Sequence, residues 1–412
     1  MTISETFCVL PWLHLHFHPN GQVHHCCLSF KESPMGNLMD GSPDEIINNE
    51  NFKKLRLQLL NNEKPYSCTR CFEREQYNVT SMRQHHNQHF SKDIPQLIDD
   101  TNTDGSLNKV NFKYWDFRFS NLCNMKCRMC GSVFSSLWYD DEIELKRRGR
   151  GSVSVEKRVV NSQEKSQVNL KEWVDNKIED VEYCYFAGGE PLIMEEHYYI
   201  LKKLIEHKRF DVKIRYNSNL LKLHFRDFDL VELWRKFDTV QMNASIDDIE
   251  LRAEYIRKGT RWNEIEENIK RLQDTNIIFQ IECTTQAMNV LTLPELLTRL
   301  NQLGVESYSV QFHNLLQYPR SFTVKILSDE LKQQVEQKLA NYITTQPEHI
   351  QNNLKPKFQT IIDYMNDMQN FDDVEDLRRQ FKLRQNALDD IRQEKFTTVF
   401  PHLKEWYDAI PV

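Results

Sequence analysis

The sequence predicts an α/β protein. Six strands alternate with helices in one parallel sheet, a small hairpin-and-helix module precedes it, and a mainly helical extension follows. Three observations predict this. Strand-length apolar segments recur between amphipathic patterns from residue 112 to 311, the rhythm of a parallel sheet. The ten cysteines fall largely into tight groups, and none lies beyond residue 283. From about residue 320 onward, Leu, Phe, Glu, Lys and Gln dominate at helical spacing. The 412 residues suffice for one sizeable core and one or two smaller ones. A content of 40% hydrophobic and 27% charged residues is that of a globular chain. The formal net charge of -7 gives no push toward bulk nucleic-acid binding. No run of 18 apolar residues predicts a membrane span. The segment MTISETFCVLPW lacks the charged and apolar regions of a signal peptide, so a cytoplasmic protein is expected.

In the N-terminal module, Leu13, Leu15 and Phe17 alternate with His14, His16 and His18. This predicts a strand, a turn at Pro19-Asn20-Gly21 and a second strand from Gln22 to Cys26, together a hairpin. A solvated strand face accounts for most of His14, His16, His18, His24 and His25 better than a histidine metal site. Ser42, Pro43 and Glu45 carry the signature of a capped helix, expected to reach Leu60 after a break around residues 48–51. The following loop delivers Cys68 and Cys71. Cys8, Cys26 or Cys27, Cys68 and Cys71 can then close a four-thiolate site, which on chemistry alone suits zinc or an iron–sulfur cluster. Residues 84–109 show little apolar periodicity and are expected to be a linker.

The sheet is expected to start with a strand at 112–119. A loop with Cys123, Cys127 and Cys130 and a helix over 132–148 follow, then a charged, solvated insertion at 146–168. Further strands are expected at 181–186, 212–217, 239–246, 277–284 and 305–311, with helices at 227–236, 261–274 and 294–302. Helices at 328–343 and within 355–411 make up the extension, with Trp406 and Tyr407 packing in its core. Cys184 and Cys283 stand alone, as core thiols do.

Three thiolates spaced CxxxCxxC on one short loop can each reach one iron of a cubane cluster, leaving the fourth iron open. A structural zinc would want a fourth ligand. Downstream, the strand at 181–186 runs into Ala187-Gly188-Gly189-Glu190-Pro191. Paired glycines let the backbone approach a ligand closely, and Glu190 can accept a hydrogen bond from an ammonium group.

Together these motifs resemble the radical S-adenosylmethionine (SAM) superfamily. The resemblance implies a partial (β/α)6 barrel over 110–318, a [4Fe–4S] cluster on Cys123, Cys127 and Cys130, and SAM bound at the open iron. Gly188, Gly189 and Glu190 resemble the GGE element that holds the SAM amino group. Asn219, in Asn217-Ser218-Asn219, resembles a SAM-contacting residue after the third strand. Ser245 resembles a serine contacting the SAM carboxylate or ribose, and Arg257 an arginine paired with that carboxylate. Met129 stands where the family commonly has an aromatic residue. The N-terminal 1–83 resembles the auxiliary-cluster modules called SPASM and twitch domains: Gly21 and Cys26 match their hairpin, Gly36-Asn37 their turn, and Cys68 and Cys71 their closing CxxC. In most relatives this module follows the barrel; here it comes first. The single-site form is closer to a twitch domain and implies an auxiliary [4Fe–4S] cluster, zinc being the second choice.

The implied activity is reductive cleavage of SAM to a 5′-deoxyadenosyl radical that abstracts hydrogen from a peptide or small molecule. The electron donor would be an external flavodoxin or ferredoxin. Gln280, Glu282, Gln286, Gln311 and His313 are candidates for substrate contact. The competing readings are a non-catalytic iron–sulfur or zinc scaffold on a degenerate barrel, and a nucleic-acid-modifying relative, which the negative charge disfavours.

Overall fold

The computed structural model describes residues 3–29, 33–76, 80–369, 371 and 373–412, apart from the side chain of His313. The chain divides into two compact units. One holds 1–121, 159–215 and 236–240; the other holds 122–158, 216–235 and 241–412.

The first unit is built on a mixed sheet in the order Tyr183–Phe186, Tyr114–Phe117, His14–Phe17, Gln22–His24 and Gly36–Asn37. The first three strands run parallel, with Trp115 beside Cys184 and Phe17 beside Phe117. The last three form an antiparallel meander, turned at Gly21, whose φ of +84° is easy only for glycine. The hairpin expected as part of a separate module is therefore an integral part of the sheet. That placement overturns the expected solvated histidine face. A strand with neighbours on both sides and layers on both faces exposes nothing, and His14, His16, His24 and His25 are all buried. One face carries the aromatic core, where Phe17 stacks on Phe117 at 4.6 Å and Phe117 meets Trp173 of the Leu170–Lys177 helix. The other face is polar: His14 and His86 both stack on Tyr114, at 4.3 and 4.6 Å, and Asp116 pairs with His16 and Arg118.

The capped helix forms as Pro43–Ile46 under a Ser42–Glu45 capping box, breaks, and resumes as Glu50–Leu60 under Asn49. The segment 84–109 departs from a plain linker. It contributes to the helix Met82–His89, started by a Ser81–Gln84 capping box, and contains the helix Ile94–Asp99. Asn87 hydrogen-bonds Val9 N and Phe7 O, at 2.8 and 2.7 Å, and fastens this segment to the start of the chain. The sequence HHNQHF hides the helix because its buried side chains, Arg83 and His86, are polar.

The second unit contains parallel strands Val240–Ser245, Ile278–Thr285 and Val310–Leu315, alternating with helices Trp262–Gln273 and Leu293–Gln302. The last strand starts later than expected because Ser307–Ser309 form a 3-10 turn. The helix after the cysteine loop also starts late, at Trp138, since Ser132 and Ser135 spend their hydroxyls on Glu142 and on the Met125 carbonyl. The extension forms helices Asp329–Thr344, Glu348–Asn366, Val374–Arg392 and Lys404–Ala409. Tyr407 stacks on Phe396 at 4.3 Å, and Trp406 contacts Phe381. The whole is an α/β fold with a central mixed sheet and a helical extension. Among the described residues no helix is long and apolar enough to cross a membrane.

Candidate metal centres

Cys8, Cys26, Cys68 and Cys71 line one pocket, together with His25, Ser67, Met82 and Arg83. Local structure delivers each thiol. Cys8 precedes the short helix Leu10–Leu13, Cys26 follows the second hairpin strand, Cys68 ends a 3-10 turn, and Cys71 sits in the first turn of Thr69–Gln76. All four are buried. Donors are aimed at their sulfurs: Leu10 N–H at Cys8, the Ser67 hydroxyl at Cys68, and Arg83 N–H at Cys71. The His25 imidazole adds a contact, its Nε2 lying 3.5 Å from Cys68 Sγ. Burial pushes the thiols up, Cys68 to about 12, so they stay protonated until a metal displaces the proton. Arg83, held by Glu75 at 2.5 Å, offsets some of that effect at Cys8, Cys68 and Cys71.

Cys27 does not line this pocket. Its Sγ is 3.7 Å from Met82 Sδ, and Asp116 and Arg118 are the charges that act on it most. Of the five cysteines that the sequence offers here, the structure groups four. Among the described residues no three His, Cys, Asp or Glu side chains stand close enough to share a single metal ion. An all-thiolate set of this kind suits zinc or an iron–sulfur cluster. The all-thiol set with donors aimed at sulfur fits an iron–sulfur cluster.

In the other unit, Cys123, Cys127 and Cys130 lie half-buried on one loop. Cys127 ends the two-residue strand Lys126–Cys127, which pairs antiparallel with Arg257–Lys258 and places Arg257 opposite it. Cys130 N bonds Cys127 O at 2.9 Å to form the turn, and Trp138 Nε1 donates to the same carbonyl at 2.8 Å. Met125 N–H points at Cys123 Sγ (3.4 Å), and Arg257 Nη1 is 3.8 Å from Cys127 Sγ. Gly259 packs under the loop with φ +109°, where a Cβ would lie 2.7 Å from the Asn124 carbonyl oxygen. Burial raises Cys127, which Arg257 partly counters, and lifts Cys130 to about 12. Three thiols on one loop, with an N–H and a guanidinium directed at two of the sulfurs, again fit a cluster.

The other sequence candidates divide between the units. Gly188 and Gly189 both adopt positive φ, 77° and 56°, and a Cβ on Gly188 would meet Arg118 Cδ at 2.6 Å. Glu190 is buried, and its Oε1 accepts from Leu192 N at 3.1 Å. In the second unit, Asn219 Nδ2 donates to Asn124 Oδ1 on the cysteine loop at 2.7 Å. Ser245 lies beside Glu282, and Glu282 beside Gln311. Gln241 bridges Asn243 and Gln280, and Asn243 reaches Asn217, so these polar candidates form a ladder across the strands. Gln286 is wholly buried, with no hydrogen-bond partner for its side-chain amide among the described residues. The side chain of His313 lies outside the described residues. Cys184 and Cys283 are buried core thiols.

Sequence reasoning missed Asp247. Its carboxylate takes Arg257 Nε and Nη2 at 2.8 and 3.0 Å and also Thr284 N at 2.9 Å. An acid directly after a strand and ten residues before the arginine was the available signal. Arg257, which the resemblance assigns to the SAM carboxylate, is thus already held by Asp247 and faces Cys127 with Nη1.

The Radical SAM superfamily model matches residues 117–295, and the SPASM model, described as an iron–sulfur cluster-binding domain, matches residues 8–72. The search of curated proteins gives no match. Among solved structures, native anSMEcpe with bound AdoMet is similar at 18% identity and TM-score 0.33, covering 46% of this chain and 48% of that one. Streptococcus suis SuiB bound to S-adenosylmethionine is similar at 11% identity and TM-score 0.32, covering 71% and 61%. SuiB bound to precursor peptide SuiA gives 14% identity and TM-score 0.31, covering 58% and 51%. The chain thus spans about half the length of the first of these structures.

Proposed function

Because this chain belongs to the radical SAM superfamily and carries a SPASM-like iron–sulfur module, we propose that it generates a 5′-deoxyadenosyl radical from SAM and abstracts hydrogen from a peptide or small molecule. The observation that carries this reading is the loop with Cys123, Cys127 and Cys130. Its three half-buried thiols have donors directed at two sulfurs, and the next cysteine in sequence is Cys184. In this reading the three cysteines hold the SAM-binding [4Fe–4S] cluster, and Cys8, Cys26, Cys68 and Cys71 hold an auxiliary one. When bound, the open-iron cluster supplies the coordination site and the electron for sulfonium cleavage.

The chain's own residues do the rest. Gly188 and Gly189 form a turn that backbone N–H groups can use, and Glu190 receives the SAM ammonium group. Asn219 fixes the loop through Asn124 and stays near the cofactor. Ser245 offers a hydroxyl at the end of its strand. Arg257, oriented by Asp247, gives Nη1 to the Cys127 thiolate or to the SAM carboxylate. The polar ladder of Gln280, Glu282 and Gln311, with Gln286 and His313 near its end, is assigned to substrate. The strands from 110 to 318 then make a partial (β/α)6 barrel, after a cluster module at 1–83 and a connecting segment at 84–109, and before the extension at 319–412. A flavodoxin or ferredoxin in the cytoplasm is the proposed reductant.

The test is anaerobic. The chain is reconstituted with iron and sulfide, given SAM and a strong reductant, and 5′-deoxyadenosine is quantified beside the Cys123/Cys127/Cys130→Ala variant. Product from wild type alone supports the reading. A fully loaded wild type that neither binds SAM nor makes product favours the non-catalytic scaffold, and zinc in place of iron at the N-terminal site would remove the auxiliary cluster from it.

A further inference from the structure

The C-terminal extension lies outside the sequence resemblance, yet one of its helices grips the cysteine loop. Arg128, between Cys127 and Cys130, is fully buried. Its guanidinium donates to Gln385 Oε1 at 2.7 Å, Asp389 at 2.5 Å and Glu394 at 2.7 Å, and it lies 3.5 Å over the Tyr255 ring. Arg384 approaches from the same helix. Its Nη2 donates to the carbonyl oxygens of both Arg128 and Cys130 at 3.2 Å. Its head lies against Trp138 and Phe322. Two turns on, Arg392 Nε reaches Asp141, on the helix after the loop, at 2.8 Å. Ala387 and Leu388 pack with Trp138 and Leu145, and Cys130 joins that cluster. Positions 384, 385, 388, 389 and 392 share one face of a helix, so the C-terminal half of Val374–Arg392 is committed to the loop and to the helix that follows it.

A half-buried arginine that donates to two carbonyls of one short loop fixes that loop. It also sets a positive charge beside the Cys130 thiol in a place only partly open to water. Reduction potentials of iron–sulfur centres follow net charge, hydrogen bonding near sulfur and solvent exposure. A neighbouring cation favours the more negative, reduced form.

We propose that Arg384 is a positioning residue for the reductive step: it locks the cluster loop and raises the potential of the cluster held by Cys123, Cys127 and Cys130. This rests on the reading of that loop as the SAM-cluster site. It gives the extension a role in making the centre reducible by a cellular donor.

The experiment uses the full chain, reconstituted anaerobically and titrated by electron paramagnetic resonance with and without SAM. The signal that changes on SAM addition reports the loop's cluster. Arg384→Met is expected to move that midpoint to more negative potential and leave the SAM-insensitive signal in place. Arg384→Lys, which keeps the charge, is expected to bring the midpoint back toward wild type. Arg379→Met, on the exposed side of the same helix, is expected to move neither. If Arg384→Met loses the SAM-sensitive signal while circular dichroism and the other signal persist, the locking role is supported. A fully loaded Arg384→Met with an unmoved midpoint overturns the proposal, as does an equal shift in Arg379→Met. A wild type without any SAM-sensitive signal would instead overturn the assignment of the site itself.

Discussion

The N-terminal cysteine pocket and the Cys123–Cys130 loop solve one problem in opposite ways. The pocket gathers four buried thiols from three separated stretches of chain, and most of the groups aimed at sulfur are neutral: amide N–H, hydroxyl and imidazole. The loop carries three half-buried thiols within eight residues, and the groups nearest them include the guanidiniums of Arg257 and Arg384. A site assembled from distant segments is closed by the fold. A site on one loop stays accessible but has to be held from outside, here by Arg257–Lys258 and by the extension helix. Local cysteine spacing is therefore a good guide to a site that binds something, and a poor guide to one that is sealed.

The sharpest way to break this comparison is to remove single thiols. Cys26→Ala or Cys68→Ala is expected to lower bound iron by about half, one four-iron cluster of two, and to lower thermal stability because metal binding is coupled to folding. Cys27→Ala, outside the pocket, is expected to retain wild-type iron. Iron and sulfide quantification on the three reconstituted variants decides it, and loss of iron in Cys27→Ala would move that residue into the ligand set.

Two glycines sharpen the contrast at smaller cost. At Gly259 a Cβ meets the Asn124 carbonyl oxygen and Met125 Cα, both backbone atoms of the cysteine loop, and φ is +109°. At Gly21, where φ is +84°, a Cβ would meet Asn37 Oδ1 at 2.8 Å, the end of a side chain that can turn, and Lys165 Cβ at 2.9 Å, which is tied to its backbone. Gly259→Ala is expected to destabilise by about 2–3 kcal/mol and to impair loading of the loop's cluster. Gly21→Ala should destabilise somewhat less, by about 1–2 kcal/mol. Urea unfolding of both variants, with iron content, measures the difference. Equal effects would mean that the loop gives way as easily as the side chains do.

How much of this was legible follows from where the information lies. The hairpin, the capped helix and the alternating elements are local patterns, and the chain states them directly. The cysteine groups are visible because thiols this close in sequence have few structural uses. What stayed hidden is long-range. Nothing in LHLHF says that this strand runs parallel to Tyr114–Phe117, and that neighbour is what turns an apparently solvated histidine face into an interior one. Nothing around Arg384 announces that its partners are carbonyls more than 250 residues earlier. Asp247 was a near miss, because its partner Arg257 was already singled out. Met82–His89 was lost because its buried positions are polar, which defeats any search for apolar periodicity.

Those buried histidines lead to the smallest expected effect. His86 stacks on Tyr114, has no hydrogen-bond partner at Nδ1 among the described residues, and is held neutral first by burial and then by His14, His85 and His89. Its pKa falls to about 2, and that of His14 to about 4. In the unfolded chain both return to about 6.5. Above that pH neither state takes the proton, and the stability that these residues permit is fully present. Below it the unfolded chain binds protons that the native chain refuses, so stability falls by about 1.4 kcal/mol per pH unit for each such histidine. His86→Phe keeps the ring stack and deletes one titrating site. Urea unfolding of the apo chain at about pH 7, 6 and 5 is expected to show a shallower acid slope in the variant, with the difference opening only below about pH 6.5. An identical slope would mean that the Tyr114 side of the sheet admits water and protons, and that this part of the first unit is less closed than its packing indicates.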